Sequence, residues 1–224
     1  MEDGKKMNKL KVLYEDNHIM VVEKPVNMLS QGDATKDIDL LTIVKQYVKE
    51  KYNKPGNAYI GLVHRLDRPV GGVMVFARSS KAAARLSKQI QNHQVEKKYL
   101  AVVTGKIEKN GELEDYLEKL PNGNTIVSKR GKLAVLKYEV IDYNEKTNHS
   151  LIKIELKTGR HHQIRVQFAS RGHYLCGDQR YGKVDNTQLA LFSNELSFYH
   201  PISKEKLTFK LSPPKEGYWT EFTL

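Results

Sequence analysis

Short apolar runs separated by turn residues dominate the chain and predict mostly β-structure. Strands are predicted at 11–16, 19–23, 73–77, 98–104, 125–128, 133–142, 150–157, 189–199 and 206–211. The run 73–77 is apolar throughout, which indicates a strand that is covered on both faces. Asp16-Asn17 is a turn pair between the first two strands, and Pro25 ends the second.

Three segments have helical spacing instead. Apolar residues recur every three or four positions in 39–52 and 81–91, with Ser80 as the predicted cap of the second helix. Residues 163–170 predict a short helix, and the polar segment 106–124 predicts a connection between two halves. Because strands outnumber helices and mostly follow one another, the fold class is α+β with a mixed, mostly antiparallel central sheet.

Charge narrows the range of partners. The 224 residues carry a formal net charge of +11 and a pI of about 9.5, and this excess of positive charge favours binding to polyanions such as nucleic acid.

Cys176 is the only cysteine, so an internal disulfide or a cysteine-based zinc site is excluded, and a reducing cytoplasm is expected. No apolar run approaches the ~20 residues needed to cross a bilayer, so no membrane association is expected.

The first candidate site comes directly before the predicted strand 73–77. Within HRLDR, residues 64–68, one carboxylate lies among two arginines and a histidine. Opposite charge nearby favours the ionised form of Asp67, and an ionised, positioned carboxylate can serve as a nucleophile or a base. The alternative is a structural salt bridge that closes a loop.

A second candidate cluster begins the predicted helix 163–170. It consists of a tight turn and a first helical turn, and its polar members are Arg160, His161, His162, Gln163 and Arg165. Helix N-termini attract anions, and the anion could be an RNA phosphate or the Asp67 carboxylate. The alternative is a basic surface helix. The paired histidines lack a His-Glu-x-x-His pattern, which argues against zinc.

Two other motif matches fail. GDQRYGK, residues 177–183, has the spacing of a phosphate-binding P-loop, but Val184 stands where the metal-coordinating Ser or Thr is required. HRLDR is similar to a kinase catalytic loop with its aspartate one place late, and the other kinase motifs are missing.

A third candidate is Tyr99, which follows two lysines at a strand start. It could stack on a base and act as an acid or base, or it could be a packing residue.

Together these motifs resemble the RluA-type pseudouridine synthases. The resemblance rests on HRLDR followed by GGVMVFARS, then EKKYLAVVTG, then TGRHHQIRVQFASRGHYLCGDQRYG, in that order. The opening LYEDNHIMVVEKPVNMLSQ and the tail LALFSNELSFYHPISKEKLTF are also similar, so the match covers about 12–214. The family often has Asp-Thr-Ser-Gly after HRLDR, whereas this chain has Pro-Val-Gly-Gly at 69–72.

The resemblance implies a pseudouridine synthase fold and an isomerase that needs no cofactor and no metal. Asp67 would attack uracil C6 or ribose C1′ of a target uridine in rRNA or tRNA. Arg165 would pair with Asp67, and Tyr99 would stack on the uracil and take part in proton transfer. Arg65 would fill the space of the flipped base, and Leu191 would form an apolar wall.

His64, Arg160, His162 and Gln163 are expected to contribute to RNA binding around the cleft. We expect residues 1–10 to be a ragged N-terminus and 11–224 to be a single catalytic domain, a monomer without a separate N-terminal RNA-binding domain. Two other functions remain open at this point. One is a non-catalytic RNA-binding protein of the same fold, and the other is a hydrolase that uses Asp67 as its nucleophile.

Overall fold

The structure is a computed structural model, and it describes residues 10–53 and 55–224. The strands are β1 (Val12–Glu15), β2 (Ile19–Lys24), β3 (Gly61–Leu62), β4 (Gly71–Ala77), β5 (Glu96–Thr104), β6 (Asn110–Lys119), β7 (Thr125–Val127), β8 (Lys132–Asn144), β9 (His149–Leu156), β10 (Leu191–Tyr199) and β11 (Lys206–Lys210). The helices are α1 (Leu40–Lys51), α2 (Ser80–Gln91) and α3 (Gln163–Ala169), with a 3-10 helix at Gly217–Glu221.

The strands form one mixed sheet. Their order is β1-β2-β4-β10-β5-β9-β8-β6-β7, with β11 beside β10 and β3 beside β4. Among the named strands of the described chain, only β4 and β10 pair in parallel, in a register that joins Gly72 to Ser193. The predicted α+β class with a mostly antiparallel sheet is therefore confirmed.

The central strand β4 divides the core into two layers. All seven of its residues are buried, as the apolar run predicted. Met74 and Phe76 pack in the layer that contains α1, whereas Val73 and Val75 pack in the layer that contains α2. This alternation is what a strand requires when helices cover both faces of its sheet.

Two sequence predictions are wrong. The cap of α2 is Ser79, whose hydroxyl accepts the backbone N–H of Ala82 at 3.2 Å, so the helix begins one residue earlier than predicted. The segment 106–124 is largely a strand, β6, paired with β8 over eight residues. Its inward residues Leu113 and Leu117 alternate with acidic side chains, and this charged face concealed the strand.

The remaining predicted elements are confirmed within a few residues of their bounds, whereas β3 and the 3-10 helix were not predicted. The prediction for residues 1–10 lies, apart from Leu10, outside the described residues. Within the described ranges, no helix is long and apolar enough to cross a membrane.

Candidate active site

The loop that carries Asp67 joins β3 to β4 and is held from inside. The buried Ser30 hydroxyl donates to the carbonyl of Leu66 at 2.7 Å and accepts its N–H at 3.1 Å. One residue later the carbonyl of Asp67 accepts the N–H of Val70 at 3.0 Å, which closes a tight turn directly before β4. The backbone is thus fixed on both sides of Asp67, while its side chain stays 30% exposed.

Two further side chains hold the end of this loop. The ammonium of Lys24, at the end of β2, donates to the carbonyls of Pro25 at 3.0 Å and Arg68 at 3.1 Å. The amide of Gln188 donates to the carbonyl of Pro69 at 2.6 Å. Side chains from distant parts of the chain therefore satisfy the loop carbonyls, which leaves the loop little freedom to move.

Lys24 is fully buried, and sequence analysis did not single it out. The pKa of Lys24 is lowered to about 7, mainly by burial. The Asp67 carboxylate acts in the opposite direction, and the charge of Arg68 contributes to the lowering. A neutral amine still has two hydrogens for its two carbonyl partners.

The Pro-Val-Gly-Gly turn has a clear structural reason at Gly72. Its φ is +125°, and a Cβ at this position would lie 2.2 Å from the carbonyl oxygen of Ser193. A side chain here would separate β4 from β10, and β10 carries Leu191 into the same cavity as Asp67. The glycine therefore allows the close parallel pairing that brings the two halves of the site together.

Arg165 lies on α3 and faces two carboxylates. Its Nη1 is 3.6 Å from Asp67 Oδ2, whereas its Nε and Nη2 donate to Asp178 Oδ2 and Oδ1 at 2.8 and 2.7 Å. Sequence analysis expected the pair with Asp67 and missed Asp178, which accepts the stronger, bidentate bonds. The available signal was an aspartate two residues after the buried pair Leu175-Cys176, within a stretch from which sequence analysis singled out no site residue.

Asp178 is almost fully buried and completes this anchor. Burial by itself would raise the pKa of Asp178, but the hydrogen bonds and charge of Arg165 hold that pKa below its usual value. The backbone N–H groups of Arg180 and Tyr181 also donate to Asp178 Oδ1, at 3.0 and 3.1 Å. Asp178 thus fixes the guanidinium that faces Asp67.

His162 precedes α3 and lies equally close to the carboxylate. Its Nε2 is 3.6 Å from Asp67 Oδ2, and its Nδ1 is 2.7 Å from the hydroxyl oxygen of Tyr181. The backbone of His162 is left-handed, with φ 50°, an uncommon conformation for a residue other than glycine. Burial, followed by the charge of Arg165, lowers the pKa of His162 to about 3, so the ring is neutral.

Tyr99 and Leu191 form the inner wall of the site. Both are buried, and both line a cavity of about 610 Å³ that also reaches Asp67. Tyr99 lies in β5 opposite Ser193, next to the start of β10 where Leu191 is paired with Ala101. Burial, followed by the charge of Asp67, raises the pKa of Tyr99. The phenol is therefore protonated at neutral pH.

A second, larger cavity of about 1050 Å³ meets the first at Asp67. Its charged lining is mostly basic, with Arg65, Arg68, Lys119, Arg165 and Arg180 against the carboxylates of Asp33 and Asp67. Arg65 is exposed and lines both cavities. No ion pair joins Arg65 to any residue in 10–53 or 55–224. A positively charged groove therefore leads to a carboxylate at its centre.

His64 has an internal contact. Its Nε2 accepts the backbone N–H of Val75 at 3.1 Å, so the half-buried ring ties the Asp67 loop to β4. Burial lowers the pKa of His64 to about 3, with a smaller effect from Lys97, and the ring stays neutral. This geometry supports a role in holding the loop, and contact with RNA stays a prediction.

Arg160 and Gln163 stabilise the turn before α3. The buried Gln163 accepts the N–H of Arg160 at 2.9 Å and the hydroxyl of Thr158 at 2.8 Å, and donates to the carbonyl of Val135 at 3.1 Å. Arg160 is exposed, and its Nε donates to the carbonyl of Leu133 at 2.8 Å. Arg160 is thus exposed and uses its Nε within the protein, whereas the amide of Gln163 is bonded entirely within the protein.

No group of three or more histidine, cysteine, aspartate or glutamate side chains is placed to hold a metal ion within the described part of the chain. The chemistry that this geometry supports is that of an oriented carboxylate. One nitrogen of His162 and one of Arg165 each lie 3.6 Å from Asp67 Oδ2, a protonated phenol lines the adjacent cavity, and a basic groove leads to the carboxylate.

The sequence and fold have clear relatives. The family model described as RNA pseudouridylate synthase matches residues 18–170. The chain is 34% identical to an uncharacterised RNA pseudouridine synthase of Aquifex aeolicus, over 92% of this chain and 70% of that protein. It is 33% identical to ribosomal large subunit pseudouridine synthase D of Zymomonas mobilis, over the same shares of the two chains.

Another relative, tRNA pseudouridine synthase C of Vibrio parahaemolyticus, is 31% identical over 91% of this chain and 90% of that one. The solved structure of human RNA pseudouridylate synthase domain containing 4 has the same fold, with a TM-score of 0.78 at 20% identity, over 94% of this chain and 90% of that one. The family match spans the loop of Asp67 and the whole of α3, which together build the site. The chain therefore belongs to the RluA-type RNA pseudouridine synthases, which are isomerases.

Proposed function

We propose that the chain converts specific uridines of structured ribosomal or transfer RNA to pseudouridine, with Asp67 as the nucleophile. The observation that carries the proposal is the place of the Asp67 carboxylate, where two cavities meet and where Arg165 and His162 both lie 3.6 Å from Oδ2. Relatives are named for ribosomal and for transfer RNA, so both substrates are included.

The reaction is an isomerisation in which atoms and electrons balance within the substrate. Asp67 attacks uracil C6 or ribose C1′, and the bond between N1 and C1′ breaks. The uracil rotates and C5 bonds to C1′. The bond from Asp67 to C6 or C1′ breaks and returns the free carboxylate, the proton leaves C5, and N1 ends protonated. Because the ring of Tyr99 is buried beside the cavity of Asp67, it fits a role in stacking on the uracil. Its protonated hydroxyl can relay this proton by releasing its own hydrogen as it accepts one.

Arg165 and Arg65 have different proposed roles. Arg165 is anchored by Asp178 and stabilises the charge of Asp67, for which a planar guanidinium is better suited than an ammonium. Arg65 is exposed where the two cavities meet and is placed to fill the space that a flipped base leaves. Leu191 forms the apolar wall, and the basic groove holds phosphates without reading sequence.

His64, Arg160, His162 and Gln163 complete the proposed RNA-binding region. The exposed nitrogens of Arg160 are the ones best placed for phosphate contact. The enzyme is proposed to act as a cytoplasmic monomer, with residues 11–224 as its catalytic domain.

The nucleophile is tested with Asp67→Asn on total RNA that lacks the modification, with pseudouridine mapped by chemical labelling and sequencing. We expect RNA affinity within about twofold of wild type and a loss of turnover of about a million-fold, equivalent to about 8 kcal/mol of transition-state stabilisation. Asp142→Asn, on β8, is the matched control and should be fully active. Turnover within tenfold of wild type would refute the role of Asp67, and release of free uracil would indicate a hydrolase.

Base flipping is tested separately with Arg65→Ala. We expect the largest loss of activity on a stem-loop and the smallest on an unstructured strand with the same target, because extrusion from a stack costs a few kcal/mol. Arg130→Ala removes a similar exposed charge and should affect both RNAs equally. An equal penalty for Arg65→Ala on the two RNAs would contradict the flipping role.

A further inference from the structure

A chain of contacts leads from the tip of the β6–β7 hairpin to the active-site carboxylate. The backbone N–H of Thr125, the first residue of β7, lies 2.9 Å from the hydroxyl oxygen of Tyr181. That oxygen is 2.7 Å from Nδ1 of His162, and Nε2 of the same ring is 3.6 Å from Asp67 Oδ2. Four residues that are far apart in the sequence are thus connected in order.

The chemistry of these groups sets the direction of the hydrogens. A backbone N–H can only donate, so the oxygen of Tyr181 is the acceptor in its contact with Thr125. The hydroxyl hydrogen of Tyr181 then has one acceptor within hydrogen-bond distance in the described chain, Nδ1 of His162. In a neutral imidazole one nitrogen accepts while the other carries the hydrogen. When the hydroxyl of Tyr181 donates to Nδ1, the hydrogen of the ring is on Nε2, the side that faces Asp67.

The ring of His162 is restrained on both sides. The ring of His161 stacks on it with centroids 3.7 Å apart, and the ring of Tyr181 meets it edge-on at 5.5 Å. His161 is itself fixed, since its Nδ1 lies 2.8 Å from the hydroxyl of Thr125. Together with the left-handed backbone of His162, these contacts restrain the plane of its ring.

We propose that Tyr181 is a positioning residue that fixes His162 as the Nε2–H tautomer, so that the ring presents an N–H to the Asp67 carboxylate. This inference rests on the proposed role of Asp67 as the nucleophile. In the opposite tautomer, the lone pair of Nε2 would face Oδ2 and repel it. With the fixed tautomer, His162 and Arg165 both stabilise the same oxygen.

The contact between Thr125 and Tyr181 links His162 to the basic groove of the larger cavity. Thr125 follows the turn 120–124. Lys119, directly before that turn, and Asn124, its last residue, both line the larger cavity. Arg180 also holds the turn, because its Nη1 donates to the carbonyl of Gly123 at 2.9 Å. A change in the hairpin tip on RNA binding would therefore reach His162 through Tyr181.

The tautomer can be measured directly in the wild-type protein. Long-range proton–nitrogen NMR spectra of the protein labelled with ¹⁵N-histidine distinguish the two tautomers at pH 7, and His162→Asn identifies the signals, since asparagine tolerates the left-handed backbone. We expect the wild-type ring to be the Nε2–H form. A ring with its hydrogen on Nδ1 would overturn the proposal, even if the protein makes pseudouridine.

The role of Tyr181 is tested with Tyr181→Phe. Without the hydroxyl, we expect a mixture of tautomers and a fall in kcat of about tenfold with KM unchanged within twofold, the loss expected for one hydrogen bond used in positioning. Tyr143→Phe is the matched control, because it removes a hydroxyl bonded to Asn148 at 2.9 Å outside the site. Its tautomer spectrum and kcat should equal those of wild type.

Circular dichroism and thermal melting of both variants check that each is folded. An unchanged tautomer and an unchanged kcat in folded Tyr181→Phe would refute the positioning role. If the wild type has the Nε2–H tautomer but forms no pseudouridine on any RNA, the proposed function fails while the geometric inference stands.

Discussion

The pair between Arg165 and Asp178 offers a quantitative test of how the site is built. Asp178→Asn keeps the size and one acceptor oxygen of the side chain but removes its charge. Both members are buried, with 6% of the Arg165 side chain and 1% of the Asp178 side chain exposed. The substitution therefore leaves a buried guanidinium without its main partner.

The expected loss follows from this burial. Removing one partner of a buried ion pair costs about 3–5 kcal/mol. Arg165 keeps two compensating contacts, the Asp67 carboxylate at 3.6 Å and the ring of Tyr181 at 5.2 Å, so the lower end applies. With a urea m value of about 2–3 kcal/mol/M, a loss of about 3 kcal/mol lowers the unfolding midpoint by about 1–1.5 M.

The assay is urea unfolding followed by circular dichroism, at pH 7 and at lower pH. Since the pKa of Asp178 is depressed in the folded state, its contribution is present above the unfolded value of about 4 and is lost as the pH falls below it. The difference between wild type and Asp178→Asn should therefore shrink below about pH 4. The double variant Asp178→Asn/Arg165→Met should lose less stability than Asp178→Asn, because no buried charge is left unpaired.

The matched control is Glu112→Gln in the exposed pair with Lys137, whose side chains are 48% and 55% exposed. An exposed pair contributes about 0–1 kcal/mol, so this variant should unfold close to wild type. A loss for Asp178→Asn that equals the loss for Glu112→Gln would refute the reasoning.

Three further predictions follow from the groove and the loop. The difference in free energy of unfolding between wild type and Lys24→Met should rise between about pH 7 and 10. The reason is that the unfolded chain keeps the Lys24 proton over this range, whereas the folded protein releases it near pH 7. A difference that does not change with pH would contradict the lowered pKa of Lys24. Gly72→Ala should lower the free energy of unfolding, measured by heat or urea, by more than about 2 kcal/mol. Gly56→Ala is the control, because a Cβ there meets open space, and it should stay within about 0.5 kcal/mol of wild type. Equal losses in the two variants would contradict the close approach of Gly72 to β10. Four cations line the larger cavity and are expected to contact phosphates: Arg65, Arg68, Lys119 and Arg180. The logarithm of the RNA association constant should then fall with the logarithm of the salt concentration with a slope of about −2.8 to −3.6. An affinity that does not change with salt would mean that these charges are only solvated surface.

The amino-acid sequence by itself determined most of the elements, the fold class and the family. Local periodicity is visible in a sequence because burial repeats every two residues in strands and every three to four in helices. The run at β4 and the stripe of α2 were recognised for this reason. The ordered motifs around Asp67, Tyr99 and Arg165 identified the family, because residues that take part in one chemistry are restricted in type and in order along the chain.

Only the tertiary structure decided which residues meet around the carboxylate. Asp178 lies 13 positions from Arg165, and Lys24 lies 44 positions from the loop carbonyl that it binds. No local pattern reports such distances, because the pairing of β2, β4 and β10 sets them. Strand β6 escaped prediction for a related reason, since its outer face is charged and exposed, and its pairing with β8 and β7 is not visible in the local sequence. The choice of Asp178 over Asp67 as the closer partner of Arg165 is likewise a matter of packing, because the turn that follows Leu175 carries Asp178 directly onto α3.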